Sequence, residues 1–305
     1  MNTDSFTINI RSAIFALVVL VFVFPFNVSG QEDDLLSLIE DDEESTELVT
    51  AAFKSTRVIN SHSIEQVGGG VLDFRINHRF GMLNTGSYEL FGLDQASIRL
   101  SLDYGVTKDL AVGMGRSTYE KEIDGFLKYK LLWQSTGAKV MPVSVVLVTG
   151  MTVNGLKWED PDRENYFSSR LAYYYQAIIG RKFSEKFSLQ VAPIMVHRNL
   201  VETADDNHDI FAIEMGSRIK ITNRIALTLD YFYTFPDQLP DNIENALAIG
   251  FDIETGGHVF QLHFTNATPM NERAIITETT GKWGDGDIHF GFNISRVFTL
   301  SDPRK

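Results

Sequence analysis

From Gly68 onward, apolar and polar residues alternate with a period of two. Leu72, Phe74, Ile76 and Phe80 share one face, while Asp73, Arg75, Asn77 and Arg79 share the other. Ile98, Leu100, Leu102 and Tyr104 oppose Ser97, Arg99, Ser101 and Asp103 in the same way. Successive side chains of a strand point to opposite faces, so each segment predicts a strand with one apolar and one polar side. The pattern continues through Leu110–Met114, Leu127–Trp133, Val143–Val153, Leu171–Ile179, Phe187–Met195, Phe211–Ile221, Ile225–Tyr233, Leu247–Ile253, Phe260–Phe264 and Ile288–Phe298. That makes twelve strands, and several reach the roughly 9 to 11 residues that a strand needs to cross a bilayer.

The connections sharpen this expectation. Gly105–Asp109, Ser135–Pro142, Phe183–Lys186, Thr222–Arg224 and Thr255–His258 are short. Between them fall the longer Gly81–Ala96, Arg116–Gly125, Asn154–Phe167, Arg198–Asp209, Thr234–Glu244 and Asn266–Gly286. A sandwich in water has no reason to alternate in this way, whereas a membrane barrel has tight periplasmic turns and extended outer loops. The expected fold is all-β: a transmembrane antiparallel up-and-down β-barrel of about 12 strands. Closure is required because an unpaired backbone amide in lipid costs several kcal/mol.

Residues 1–30 fall outside that barrel. Arg11 precedes the uncharged apolar run Ser12–Phe26, and Val28-Ser29-Gly30 supplies a small-residue cleavage site. This is the pattern of a secretory signal, and fifteen apolar residues fall short of the roughly 20 in a spanning helix. Residues 31–67 then read as an acidic, largely flexible periplasmic extension. Glu32, Asp33, Asp34, Glu40, Asp41, Asp42, Glu43, Glu44 and Glu47 occur there without Lys or Arg up to Glu47, and a short helix is expected near Glu47–Phe53. The barrel is expected over 68–300, with a tail at 301–305. Localisation follows as the bacterial outer membrane, with the signal cleaved. The partners expected are membrane lipid, lipopolysaccharide and the outer-membrane assembly machinery, with a periplasmic protein at the extension. A net charge of -13 excludes the basic footprint of a nucleic-acid binder, and the absence of cysteine excludes disulfides.

Phe53–Glu65 (FKSTRVINSHSIE), Asn77–Leu100, Asp124–Thr136 and Thr255–Ala267 resemble blocks of a Bacteroidota membrane-bound β-barrel family of unknown function. The resemblance covers most of Phe53–Leu300 and implies a membrane barrel, with no catalytic or ligand residue to carry over. One departure is the C-terminus. Phe298 has the parity of the terminal aromatic that assembly machinery reads, but seven residues follow it.

No catalytic motif, cofactor site or metal site is expected. G-x-S-x-G, Walker and H-E-x-x-H patterns are missing. His78 and His197, near the outer ends of their strands, are the sole hint of an interfacial lipid-modifying enzyme, and rim histidines account for them. Glu202, Asp205, Asp206, His208 and Asp209 crowd one loop, and Glu159, Asp160, Asp162 and Glu164 another; solvated acidic loops explain these better than calcium does. The lumen carries the chemistry. Its expected pore lining is Arg75, Arg79, Arg99, Lys128, Lys130, Arg170, Glu214, Arg218, Asp230 and Asp252, with Asp73, Asp103, Lys220 and Glu254 of the same parity. Either opposite charges pair across the lumen and close it, or a basic wall on strands one, two and four faces an acidic wall on strands eight to ten across a channel. Twelve strands lie between the filled small barrels and the open large ones, so a narrow or partly plugged lumen is expected. The leading function is then a narrow channel or porin-like pore for small polar solutes. The alternative is a closed scaffold barrel that docks a periplasmic partner. Parity also predicts that Arg at Leu100 or Phe292 blocks assembly, while Arg at Ser101 or Asn293 is better tolerated.

Overall fold

The computed structural model describes residues 45–255 and 258–301; the expected signal, most of the acidic stretch and the last four residues lie outside them. Twelve strands alternate in direction: β1 (Val71–Met82), β2 (Ala96–Gly105), β3 (Leu110–Ser117), β4 (Ile123–Leu132), β5 (Ser144–Val153) and β6 (Leu171–Lys182). They continue with β7 (Phe187–Arg198), β8 (Asp209–Lys220), β9 (Ile225–Thr234), β10 (Leu247–Glu254), β11 (His258–Thr265) and β12 (His289–Thr299). Each pairs with its neighbours in the chain, and β12 returns to β1, placing Thr299 opposite Val71 and Phe292 opposite His78. The sheet is therefore a closed up-and-down barrel without edges, as the alternation predicts.

The barrel is inverted relative to a soluble one. Leu100, Leu102, Met114, Leu127, Leu147, Met151, Tyr175, Phe251 and Phe264 are exposed on the outer wall, while Arg75, Arg79, Arg99, Lys128, Glu214 and Asp230 are buried inside. So continuous an exposed apolar band is stable only against hydrocarbon. Leu100 and Ser101, adjacent in β2, are 46% and 3% exposed, which confirms the parity.

The interior is filled from both ends. The second half of the expected flexible extension does not hang from the rim. Residues 52–67 lie almost entirely buried inside the barrel. They form a hairpin in which Arg57 bridges His62, Val58 N donates to Ser61 O at 2.9 Å and Ser63 N to Thr56 O at 2.9 Å. Acidic residues stop at Glu47 and resume only at Glu65, so this stretch is free to pack where the tail before it is not. The helix expected at Glu47–Phe53 is replaced by a strand, Thr46–Leu48, paired antiparallel with Ser135–Gly137 in the β4–β5 connection. Seven residues nucleate a helix poorly, and a ready strand partner prevails. From the opposite mouth, the β11–β12 connection sends in helix α1 (Glu272–Glu278), buried from Glu272 to Thr277. Asn271 caps it, accepting from Ala274 N at 3.0 Å.

Candidate functional site

The hairpin sits between two walls that read it by polarity. Acceptors on the hairpin meet the basic wall. Lys128 Nζ on β4 donates to Glu65 O at 2.5 Å and Thr56 O at 3.3 Å, and Arg75 on β1 donates to Ser55 Oγ at 3.0 Å and Thr56 Oγ1 at 2.8 Å. Arg79 grips Asn60 Oδ1 at the tip and donates to Pro269 O at 2.8 Å, tying hairpin to outer loop. Donors on the hairpin meet the acidic wall. Asp230 Oδ2 on β9 accepts from Asn60 N at 2.7 Å and Ser61 N at 3.0 Å, and Glu214 on β8 accepts from Ser61 Oγ at 3.0 Å. Amides complete the ring. Gln190 donates to His62 O at 2.8 Å and accepts from Ile64 N at 3.1 Å, Gln261 donates to Val58 O at 2.7 Å, and Asn293 donates to Ile59 O at 2.9 Å. The protein's own chain lies between the basic and the acidic residues of the inner wall. Arg57 of the hairpin pairs with Glu272 of α1, so the two inserts meet inside the barrel.

The expected lining residues divide by place. Arg75, Arg79, Lys128, Glu214 and Asp230 converge on the hairpin. Arg99 reaches over β3 to Asp124, lying where a Cβ on Gly115 would collide with it. Arg218 reaches over β9 to Glu254 at 3.0 Å and Asp252 at 3.6 Å, so both readings of the lumen, pairing and walls, hold in different sectors. Lys130 lies over the Trp133 ring at 3.6 Å. Arg170 is not in the lumen. Strand β6 begins one residue later, and the guanidinium instead donates to Asn154 O at 2.8 Å and Leu156 O at 2.5 Å, stacked on Trp158. Sequence reasoning missed Asp124, Gln190, Gln261, Asn293 and Glu272, together with the hairpin itself.

Much of the rest of the inner wall is apolar. On β5 to β8 the inward positions include Val146, Val148, Tyr174, Ile178, Ala192, Ile194, Val196, Ile210 and Ala212, clustered with Phe53, Val58 and Ile64 of the hairpin. Inward glycines make the room. A Cβ on Gly180 would stand 2.6 Å from Ile64 Cγ2, and one on Gly216 2.9 Å from Val58 Cγ2.

At the outer mouth Arg273 of α1 serves three carboxylates: Glu122 at 2.6 Å, Glu120 at 3.2 Å and Glu278. Burial pushes the Glu278 carboxyl up to about 7, and the charges of Glu120 and Glu122 add to this while Arg273 opposes it. Among the described residues no group of three or more His, Asp or Glu is arranged to hold a metal ion.

A family model described as a membrane bound beta barrel domain (DUF5777) matches residues 53–298. No curated protein matches the chain. Among solved structures, the porin NanC is 9% identical with a TM-score of 0.48, covering 75% of this chain and 98% of its own. Salmonella typhi OmpF in complex with daunomycin is 8% identical with a TM-score of 0.36, covering 75% and 97%. The monoaromatic hydrocarbon channel CymD is 10% identical with a TM-score of 0.35, covering 77% and 90%.

Proposed function

The chain belongs to this membrane-bound β-barrel family, and from that premise we propose that it is an outer-membrane, porin-like channel for small polar solutes, closed at rest by its own N-terminal hairpin. The signal cleavage and the Bacteroidota origin implied by the resemblance belong to the same proposal. One observation carries it: the residues that would line a polar pore are the residues that hold the hairpin. Hydrogen bonds to charged groups contribute a net ~1.5 to 3 kcal/mol each. If the wall contacts net only about 5 kcal/mol, the hairpin is out in roughly one molecule in several thousand. Conduction then needs something that displaces it.

Single-channel recording in planar bilayers tests this. The full chain should be silent, and a chain lacking residues 49–67 should conduct, with barrel closure checked by heat-modifiable migration on a denaturing gel. Full-length Asp230→Ala with Gln190→Ala, which leaves the hairpin in the chain, should flicker open. Silence from all three folded proteins would remove the channel, and steady conductance from the intact chain would remove the plug.

A second reading, the closed scaffold barrel, is favoured by the strand Thr46–Leu48. Its pairing with Ser135–Gly137 places Thr46–Leu48 at the short-turn rim, where a periplasmic protein would meet the chain. Pull-down with and without residues 31–44 distinguishes it, and equal recovery of partners counts against docking.

A further inference from the structure

The barrel wall is not equally sealed all the way round. Between β6 and β7 the register pairs Gln176 with Ile194 and Ile179 with Val191, while the two rungs between, at 177/193 and 178/192, are missing. Pro193 stands there, in the middle of a strand. Proline has no N–H to give, and within a sheet it is otherwise confined to edges and bulges. On its other side Pro193 keeps its place opposite Ile213, so the break is confined to one seam.

Three further observations coincide at that seam. A concavity of about 870 Å³ opens on the outer wall, lined among others by Leu147, Tyr175, Pro193, Met195 and Phe211. It runs from mid-strand at Pro193 to the long-loop ends at Phe211 and Phe235, and it has no charged residue in its lining. Its lining also includes Val148, Gln176, Ile194 and Ala212, whose side chains have the inward parity. Finally, the Gln176 amide is buried with neither its nitrogen nor its oxygen bonded. Such an unbonded amide weakens the wall at this point. Behind the seam lies the apolar half of the lumen, so hydrocarbon on one side faces aliphatic side chains on the other.

We propose that the β6–β7 seam is a lateral portal that takes the acyl chain of a membrane lipid into the barrel wall at Pro193. The occupant follows from position: at the middle of a spanning strand, the bilayer supplies acyl chains and little else. The volume lies within the range of built ligand sites, about 300 to 1,000 Å³. This inference does not depend on axial conduction, and its readout is separate from it.

The test uses the full chain in vesicles of phosphatidylethanolamine carrying a diazirine at the end of one acyl chain. After photolysis, adducts are mapped by mass spectrometry. Adducts should concentrate on Tyr175 and Met195 over Leu100 and Met114 on β2 and β3, and should extend to Gln176 and Ile194. Pro193→Val restores the N–H and should cut the Gln176 and Ile194 adducts about tenfold, the equivalent of ~1.4 kcal/mol. Ala177→Phe, which fills the hollow without touching the ladder, should cut them as well. Heat-modifiable migration confirms that each variant is folded. Adducts distributed evenly around the barrel, adducts confined to outward residues, or no response to either variant would overturn the portal.

Discussion

The two halves of the lumen hold the same hairpin by different means. Strands β1, β2, β4 and β9 to β12 present charges and amides, many of them matched to a donor or acceptor on residues 55–65 or to one another. Strands β5 to β8 present mainly Val146, Ile178, Ile194 and their neighbours, with notches at Gly180 and Gly216, while Gln190 and Glu214 among them also bond the hairpin. Buried charge pairs return much of their attraction as desolvation cost, so they fix position more than they stabilise. Full burial of an aliphatic side chain contributes about 1.5 to 3 kcal/mol with no such offset. The apolar half therefore holds the hairpin in, and the charged half decides where along the lumen it stops.

Ile64→Asp attacks the holding half and should have the largest effect. Ile64 is 2% exposed, packed at Gly180. A carboxylate there has no partner, and an uncompensated buried charge costs roughly 3 to 5 kcal/mol. Hydrogen exchange across residues 55–65 should lose its protection, and the full-length protein should begin to conduct. Full protection in the variant would show that the apolar half is not what retains the hairpin.

The outer wall provides the control, because it does not share the division. Arg at Leu100, outside the charged half, or at Ile213, outside the apolar half, should each cost about 2 to 4 kcal/mol and block assembly alike. Parity alone predicts that Arg at Ser101 or Asn293 is tolerated, but the filled lumen revises this. Ser101 is buried, and Asn293 donates to Ile59 O and Gln261 while accepting from Asn77. Arg at Asn293 should leave the barrel assembled but expel the hairpin, so gel migration stays heat-modifiable while protection of residues 55–65 falls. Loss of assembly at both parities would contradict the facing.

Asp230→Asn probes the positioning half and should matter less. Asn keeps one acceptor for the Asn60 and Ser61 amides but removes the charge, worth about 1 to 2 kcal/mol, or roughly 5- to 30-fold faster exchange at those two amides. Exchange at Ile64 should change little. An equal loss at all three would mean that the halves act as one unit.

The barrel was legible because alternation repeats twelve times and loop length repeats with it, so local signals reinforce one another. The inserts carry no such repetition. Hairpin 55–65 is one short passage whose partners lie far away: Asp230 is 170 residues from Asn60, and Asn293 is 234 from Ile59. Helix α1 is seven residues long, too short to show a helical period in the β11–β12 connection. Asp124 escaped because β4 starts at Ile123 rather than Leu127. Traces existed all the same: Phe53, Val58, Ile59 and Ile64 are surplus apolar residues in a tail assigned to solvent. Gly180 and Gly216 are inward gaps that something had to fill.

The mouth, where the two halves meet on α1, allows the finest test. Ile275 and Ile276 bury the helix among apolar neighbours, while Arg273 brings Glu120, Glu122 and Glu278 together, with Tyr119 and Arg198 close enough to be felt. Burial, with the charges of Glu120 and Glu122 adding to it against the pull of Arg273, keeps the proton on Glu278 to about pH 7 when folded, against 4.5 for an ordinary glutamate. Between those values the packed helix binds a proton that the released helix has lost, so its stability falls as pH rises. The contribution is complete below about pH 4.5 and gone above about pH 7. Exchange protection of residues 272–278, corrected for intrinsic rates, should be greater at pH 5 than at pH 8, while β-strand protection stays level. Glu278→Gln keeps the size and removes the titration, and its profile should be flat. If the glutamine variant retained the slope, the proton whose loss loosens the helix would not be the one on Glu278.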